Sequence, residues 1–403
     1  MKVAIISSGN PNNLKGIMNY VQEKSRLMKK YEDKDFSVDV FLVRTKNTFW
    51  LNLISCIFRK KQIVTNNDEE KSREVSIDGV VYKCLWIKYG VLKNIFSTKI
   101  LNRYVSRRDS VKFAKTLSNY DILATHTLVC HNIALDIYHK YLIPYIPTWH
   151  GSDIAVIPFV NTKFKTIVKE ILDNAAVNLF VSNALLNTAT QFSSSSKKKV
   201  IYTGPSEMFH KYSEEDRKKL RQKYGVVRKK VVMYVGNLVP VKNVMSLPPI
   251  FENINRNFRK EDIEFWIIGD GPLKEDLNNA LLESKVCYRM FGNMKPSEMP
   301  DIMNCADLLF LISKSEGLGL VNLEAMSCGC NVLGSRIGGI PEILGDRNTF
   351  DLDDNFIENI SQRAVEILVN RESPLTLSKK FSWSNAIDEE ISYYKKIVGK
   401  SEK

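Results

Sequence analysis

Ser315-Glu316-Gly317-Leu318-Gly319-Leu320-Val321-Asn322-Leu323-Glu324-Ala325-Met326 sets two Glu residues eight positions apart. The first stands just before a Gly-x-Gly turn and the second lies inside an apolar run. Upstream, Asp307-Leu308-Leu309-Phe310-Leu311-Ile312 is short, continuous and apolar, which predicts a buried parallel strand. Downstream, residues 321–328 predict a helix halted at Gly329. Strand, glycine turn and helix together aim free backbone N–H groups and the positive helix end at an anion. Gly317 and Gly319 let a phosphate approach the main chain. Glu324 falls about two turns into the helix, on roughly the face that Glu316 opens. One carboxylate could hold sugar hydroxyls and the other ribose hydroxyls, with a diphosphate between them. A helix cap plus a surface Glu is the plainer alternative.

The flanks extend the pattern. Gly329-Cys330-Asn331-Val332-Leu333-Gly334-Ser335 and Gly338-Gly339-Ile340-Pro341-Glu342-Ile343 follow. Ile267-Ile268-Gly269-Asp270-Gly271-Pro272-Leu273 and Phe291-Gly292-Asn293-Met294 precede. In order and spacing these resemble the Glu-x7-Glu signature, the Gly-Asp-Gly-Pro turn and the base-binding segment of retaining GT-B glycosyltransferases, family 4 (glycosyl transferases group 1). Several ordered motifs are more specific than one glycine pattern. The resemblance is strong over roughly residues 230–345 and weak in the first half.

That family implies an α/β fold of two Rossmann-like doubly wound domains facing a cleft, with a C-terminal helix crossing back to the first domain. The expected division is 1–204 for acceptor binding, 205–380 for the nucleotide sugar, and 381–403 for the returning helix. A chain of 403 residues with 44% hydrophobic content can supply two cores. Apolar strands over residues 231–236, 265–268, 307–312 and 331–333, alternating with helices, predict a second sheet of four parallel strands.

The resemblance also implies roles. Lys242 and the main chain of Gly317, Leu318, Gly319 and Leu320 would face the donor diphosphate. Glu316 would hold the donor sugar, Glu324 the ribose and the Met294 main chain the base. Gly16 and Gly269 match further donor-side glycines. Two positions depart from the family pattern of Gly-Arg, loop, Lys-Gly. Asn237 stands at the Arg and Asn243 at the final Gly. Losing one of two cations weakens leaving-group stabilisation, and Lys15 could compensate.

In the first half, Val3–Ile6 and residues 38–43 read as strands, and a helix runs from Ile17 to about Tyr31. Residues 64–76 read as a polar loop, and 193–199 as another. His126 ends the apolar stretch 122–125, and His150-Gly151-Ser152-Asp153 ends a second one. Ligand groups collect at the carboxyl ends of parallel strands. That position makes both His candidates for a cleft role, and His150-Gly151-Ser152-Asp153 resembles the family's His-Gly-x-Asp segment. The resemblance then implies His126 as a catalytic candidate together with Glu316 and Lys242, facing donor sugar and acceptor, with His150, Asp153 and Lys15 as acceptor or cleft residues. A satisfied structural His is the alternative.

Charge is uneven. The chain carries +13 overall, but residues 1–204 hold 30 Lys and Arg against 16 Asp and Glu, and residues 205–403 hold 28 against 29. An anionic partner for the first half follows. Residues 49–58 are apolar and aromatic and run into Arg59-Lys60-Lys61, a second basic-aromatic region spans 83–115, and a peripheral contact with anionic membrane is open to them. No groove-reading motif supports a nucleic-acid partner. No apolar run approaches the ~20 residues of a membrane span. The opening residues read as a strand rather than an export signal. Seven scattered Cys fit a reducing compartment. The expectation is a cytoplasmic enzyme, with the inner face of the cell membrane open to it.

The resulting expectation is a retaining, metal-independent hexosyltransferase without a cofactor. It takes a nucleotide diphosphate sugar, UDP-linked, to a cell-envelope glycan or lipid-linked acceptor. A degenerate sugar-nucleotide-binding module and a GT-B sugar-nucleotide epimerase remain alternatives.

Overall fold

The computed structural model describes residues 1–9, 16–47, 73–89, 107–160, 162–227, 229–259 and 261–401. Lys15, residues 49–61 and most of the 83–115 region lie outside them. Contacts divide the chain into two units. Unit 1 comprises Met1–Phe180, Leu186–Ile201 and Ala386–Lys403; unit 2 comprises Val181–Leu185 and Tyr202–Asn385.

Unit 1 is built on β1 (Lys2–Ser8), β2 (Ser37–Asn47), β3 (Glu74–Ile77), β4 (Val80–Tyr89), β5 (Ile122–His126), β6 (Tyr145–Trp149), β7 (Asn178–Phe180) and β8 (Lys198–Val200). They form one sheet in the order β3-β4-β2-β1-β5-β6-β7-β8. Every pairing is parallel except β3 with β4. β1, β5 and β6 are nearly continuous apolar runs, buried on both faces as central parallel strands require. Two expected loops contain strands. Glu74–Ile77 alternates outward and inward and folds back on β4 through Asp78-Gly79, both at positive φ, a two-residue hairpin turn. Lys198-Lys199-Val200 pairs with β7 at the sheet edge, where lysines discourage further strand addition.

The C-terminal helix Trp383–Ser401 enters unit 1 from Ala386 onward. Ala386, Ile387, Ile391 and Tyr394 form its buried stripe. Ser382 accepts the Asn385 N–H at 3.4 Å near its start.

Unit 2 contains β9 (Lys230–Val235), β10 (Ile263–Ile268), β11 (Tyr288–Gly292), β12 (Leu308–Leu311), β13 (Asn331–Ser335) and β14 (Thr349–Phe350). The sheet is all parallel, in the order β11-β10-β9-β12-β13-β14. It therefore exceeds the expected four strands by two edge strands. β11 is only half-buried along its length and β14 has two residues, so neither carries the continuous apolar run that marks a central strand. The core joins Phe251, Phe265, Phe310 and Leu333 with Ile360 and Ile367 of the helix Phe356–Asn370. Phe251 stacks on Phe265 with ring centroids 4.3 Å apart.

Candidate functional site

The glycine turn of unit 2 lies between β12 and the helix Leu320–Ser327. Gly319 takes φ +86° as the residue before the helix, a conformation open to glycine. Among the described residues no side chain caps this helix. The N–H groups of Leu318, Gly319 and Leu320 have no partner among the described residues. Glu316 precedes the helix, so helical phase does not relate it to Glu324.

Glu316 is held from three sides. Its Oε2 accepts from Lys242 Nζ at 2.5 Å and from Ser313 Oγ at 3.4 Å, and its Oε1 meets the Gly317 N–H at 3.3 Å. Both partners of the ion pair remain partly exposed, at 23% and 18%. Lys242 ends a single 3-10 turn, Pro240–Lys242, and the next residue, Asn243, is left-handed at φ +55°. Asn tolerates that conformation better than other non-glycine residues. Asn243 thus holds a conformation that a Gly at this position would also adopt. Asn237 lies on the same loop, where its carbonyl accepts from Tyr234 Oη at 3.1 Å and from the Val239 N–H at 3.0 Å.

Two further glycine motifs brace these loops. Gly339 donates to the Gly317 carbonyl at 3.0 Å, and a Cβ on Gly338 would fall 1.9 Å from the Glu316 carbonyl oxygen. A Cβ on Gly269 would fall 1.9 Å from the Gly236 oxygen. Gly236 and Leu238 bond back to Ile268 and Asp270 at 3.0 Å each. Gly269 thus permits two turns to touch.

Glu324 is half-buried, and its carboxylate has no hydrogen bond or ion pair among the described residues. Burial alone pushes its pKa up to about 7. Two positions earlier, fully buried Asn322 has neither amide atom satisfied among the described residues. A buried unpaired amide is rare enough to require a reason. A polar residue within Val321-Asn322-Leu323 was its signal in the sequence. Beyond β11, the Met294 main chain bonds to no described residue.

Unit 1 contains a second constellation. His126 is the last residue of β5 and is fully buried. Its Nδ1 meets His150 Nε2 at 2.9 Å, and its Nε2 meets Lys24 Nζ at 3.2 Å. Lys24, also fully buried, lies 2.5 Å from Glu390 Oε1. Tyr394 donates to the same carboxylate oxygen. The Tyr20 ring packs edge-on against His150, centroids 4.6 Å apart. Burial, then the nearby Lys24 charge, holds His126 well below the usual imidazole range. Burial likewise takes His150 down to about 4.

Asp153 is also buried and accepts the N–H groups of His150 and Gly151 at 3.1 and 2.8 Å. Burial pushes its carboxyl up, but His131, His150 and the Gly151 N–H outweigh that and leave it lowered. Asp153 therefore fixes the backbone that presents His150. Thr127, directly after His126, adopts φ +87°, an outlier for a β-branched residue. Gly16 opens the helix Ile17–Met28 at φ +53° and is exposed.

Comparison with solved structures defines the fold. The chain superposes on sucrose-phosphate synthase from Thermosynechococcus elongatus with a TM-score of 0.74 at 15% identity, covering 99% of each chain. Against Anabaena HepE in complex with UDP and glucose the TM-score is 0.67 at 16% identity, covering 97% and 98%. The fold is GT-B. Residues 216–381 match the family Glycosyl transferases group 1, and the chain carries that family's domain. It is 26% identical over 264 residues to N-acetyl-alpha-D-glucosaminyl L-malate synthase of Bacillus anthracis, covering 63% of this chain and 67% of that one. It is 29% identical over 258 residues to an uncharacterized glycosyltransferase of Methanocaldococcus jannaschii, covering 62% and 67%.

Proposed function

We propose that the chain is a retaining, metal-independent hexosyltransferase that draws its sugar from a nucleotide diphosphate donor, UDP-linked, and passes it to a cell-envelope glycan or lipid-linked acceptor. The observation that carries this reading is the Lys242–Glu316 pair beside three main-chain N–H groups that have no partner among the described residues. A cation and preorganised N–H donors suit the charge that grows on a departing diphosphate. Glu316 then takes the donor sugar hydroxyls, the open carboxyl of Glu324 takes the ribose, and the Met294 main chain takes the base. HepE, a structural neighbour, is described in complex with UDP and glucose, which supports a uridine donor.

In the proposed reaction the bond from the anomeric carbon to the diphosphate oxygen breaks. The acceptor oxygen bonds to that carbon from the same face, and its proton passes to the departing phosphate. No side-chain nucleophile enters. Unit 2 supplies positioning and charge stabilisation, and the His126–His150 pair of unit 1 serves the acceptor side.

A radiolabelled transfer assay with UDP-sugars and a crude envelope glycan and lipid fraction, run with and without chelator, tests this. Label appearing in the acceptor fraction unaffected by chelator supports it. Donor turnover without label transfer favours an epimerase instead. Donor binding without turnover favours a binding module, and Asn237 in place of the family Arg is the feature that reading rests on.

A further inference from the structure

We infer that Lys24 and Glu390 are positioning residues that set the tautomers of His126 and His150, so that His150 presents an N–H donor at Nδ1. The two residues come from distant parts of the chain, the first helix and the C-terminal helix, and meet inside unit 1. An ammonium has three donors and no acceptor. Lys24 gives one to Glu390 at 2.5 Å, and another faces His126 Nε2 at 3.2 Å. His126 Nε2 must then be the acceptor, and a neutral imidazole with an acceptor at Nε2 carries its proton at Nδ1. That proton faces His150 Nε2 at 2.9 Å. His150 Nε2 is in turn an acceptor, and the His150 proton sits at Nδ1.

Each donor therefore dictates the next, from a buried carboxylate through a buried ammonium to the half-buried ring of His150. Both His126 nitrogens are occupied, whereas His150 Nδ1 has no partner among the described residues. Asp153 pins the His150 main chain and Tyr20 packs against the ring, so the free N–H is held in place. A fixed imidazole N–H recognises an oxygen acceptor, such as a sugar hydroxyl or an anionic phosphate or carboxylate oxygen. It cannot abstract a proton. The ligand it meets rests on the proposed sugar-transfer reading; the tautomer pattern does not.

The test is long-range proton–nitrogen NMR on the full chain labelled with nitrogen-15 histidine at pH 7.5. His126→Gln and His150→Gln assign the two rings. Both should be protonated at Nδ1, by at least about tenfold over the other tautomer, the ratio that 1.4 kcal/mol supports. The charge-neutral pair Lys24→Met with Glu390→Gln removes the donor at His126 Nε2. Both rings should then switch together toward Nε2–H, because His126 Nδ1 becomes free to accept from His150. His126 protonated at Nε2 in the wild type overturns the inference, as does an unchanged pattern in a folded double variant. If that variant does not fold, the wild-type spectrum decides. This result is independent of whether any nucleotide binds.

Discussion

Lys242 Nζ lies 2.5 Å from Glu316 Oε2. The cation proposed for the donor diphosphate and the carboxylate proposed for the donor sugar are thus each other's partners. Both are partly exposed, so the pair itself adds about 1 kcal/mol or less. Lys242→Ala should leave urea stability within about 1 kcal/mol of wild type. It should weaken a nucleoside diphosphate roughly tenfold more than the matching monophosphate, as loss of a charged hydrogen bond implies. A large stability loss, or equal weakening of both ligands, would place Lys242 elsewhere in the mechanism.

Glu324 links binding to pH. Its folded pKa of about 7 lies above the ordinary carboxyl value. The folded state therefore holds the proton more tightly than the unfolded state. Stability is complete below pH 4.5 and declines as pH rises toward 7. Glu324→Gln removes that penalty. At pH 8 it should stabilise the unliganded protein by about 1 to 2 kcal/mol, allowing for the partial exposure of the side chain. The same substitution should weaken nucleotide binding several-fold. Denaturant curves at pH 5 and pH 8 check the first half, and titration calorimetry the second. A destabilised variant at pH 8 with unchanged affinity contradicts both.

The histidine pair acts in the opposite direction. His150, facing His126, Asp153, His131, Lys24 and Tyr20, has its pKa depressed to about 4. Below pH 6.5 the unfolded state takes up a proton that the folded state refuses. Stability is complete above pH 6.5 and falls between 6.5 and 4, by about 2 to 3 kcal/mol for this ring. In His150→Gln the slope of stability against pH across that window should flatten. An equal slope in both proteins would show that His150 protonates freely in the native state.

Lys24→Met alone leaves Glu390 buried without its cation and should cost about 3 to 5 kcal/mol. Adding Glu390→Gln should recover most of that loss. Additive losses in the double variant would deny that the two are energetically coupled.

Much of the fold was legible because central parallel strands announce themselves as apolar runs. β1, β5, β6, β9, β10 and β12 all follow from that signal. β3, β8, β11 and β14 escaped it because each is short, polar or half-exposed and exists through pairing rather than burial. The glycine turn and its two Glu residues were legible as spacing, but the Lys242–Glu316 pairing was not, since it joins loops 74 positions apart. Lys24 and Glu390 were legible in part. Tyr20, Lys24 and Met28 share one helical stripe, as do Ile387, Glu390, Ile391 and Tyr394. A charged residue on a buried stripe signals a buried partner, yet only the fold shows that each is the other's.

The glycine motifs separate close approach from conformational freedom. Gly338→Ala places a Cβ 1.9 Å from the Glu316 oxygen at φ +57°, whereas Gly345→Ala at φ +69° meets nothing within 4 Å. The first should cost about 3 kcal/mol and disturb the Glu316 turn, the second about 1 kcal/mol. Thermal unfolding of both variants checks the contrast, and equal losses would mean that the Gly338 contact is not tight.

The proposed donor site of unit 2 holds a nucleotide diphosphate sugar through Lys242, Glu316 and Glu324. Thermal-shift titration of the full chain against UDP, GDP, ADP and CMP, their sugar conjugates, and UMP, GMP and AMP tests it most directly, because a ligand that binds only the native state must raise the melting temperature. UDP and a UDP-sugar should stabilise the wild type well beyond UMP, and Lys242→Ala should abolish the difference. No stabilisation by any nucleotide in the panel, or stabilisation unaffected by both Lys242→Ala and Glu324→Gln, would contradict it.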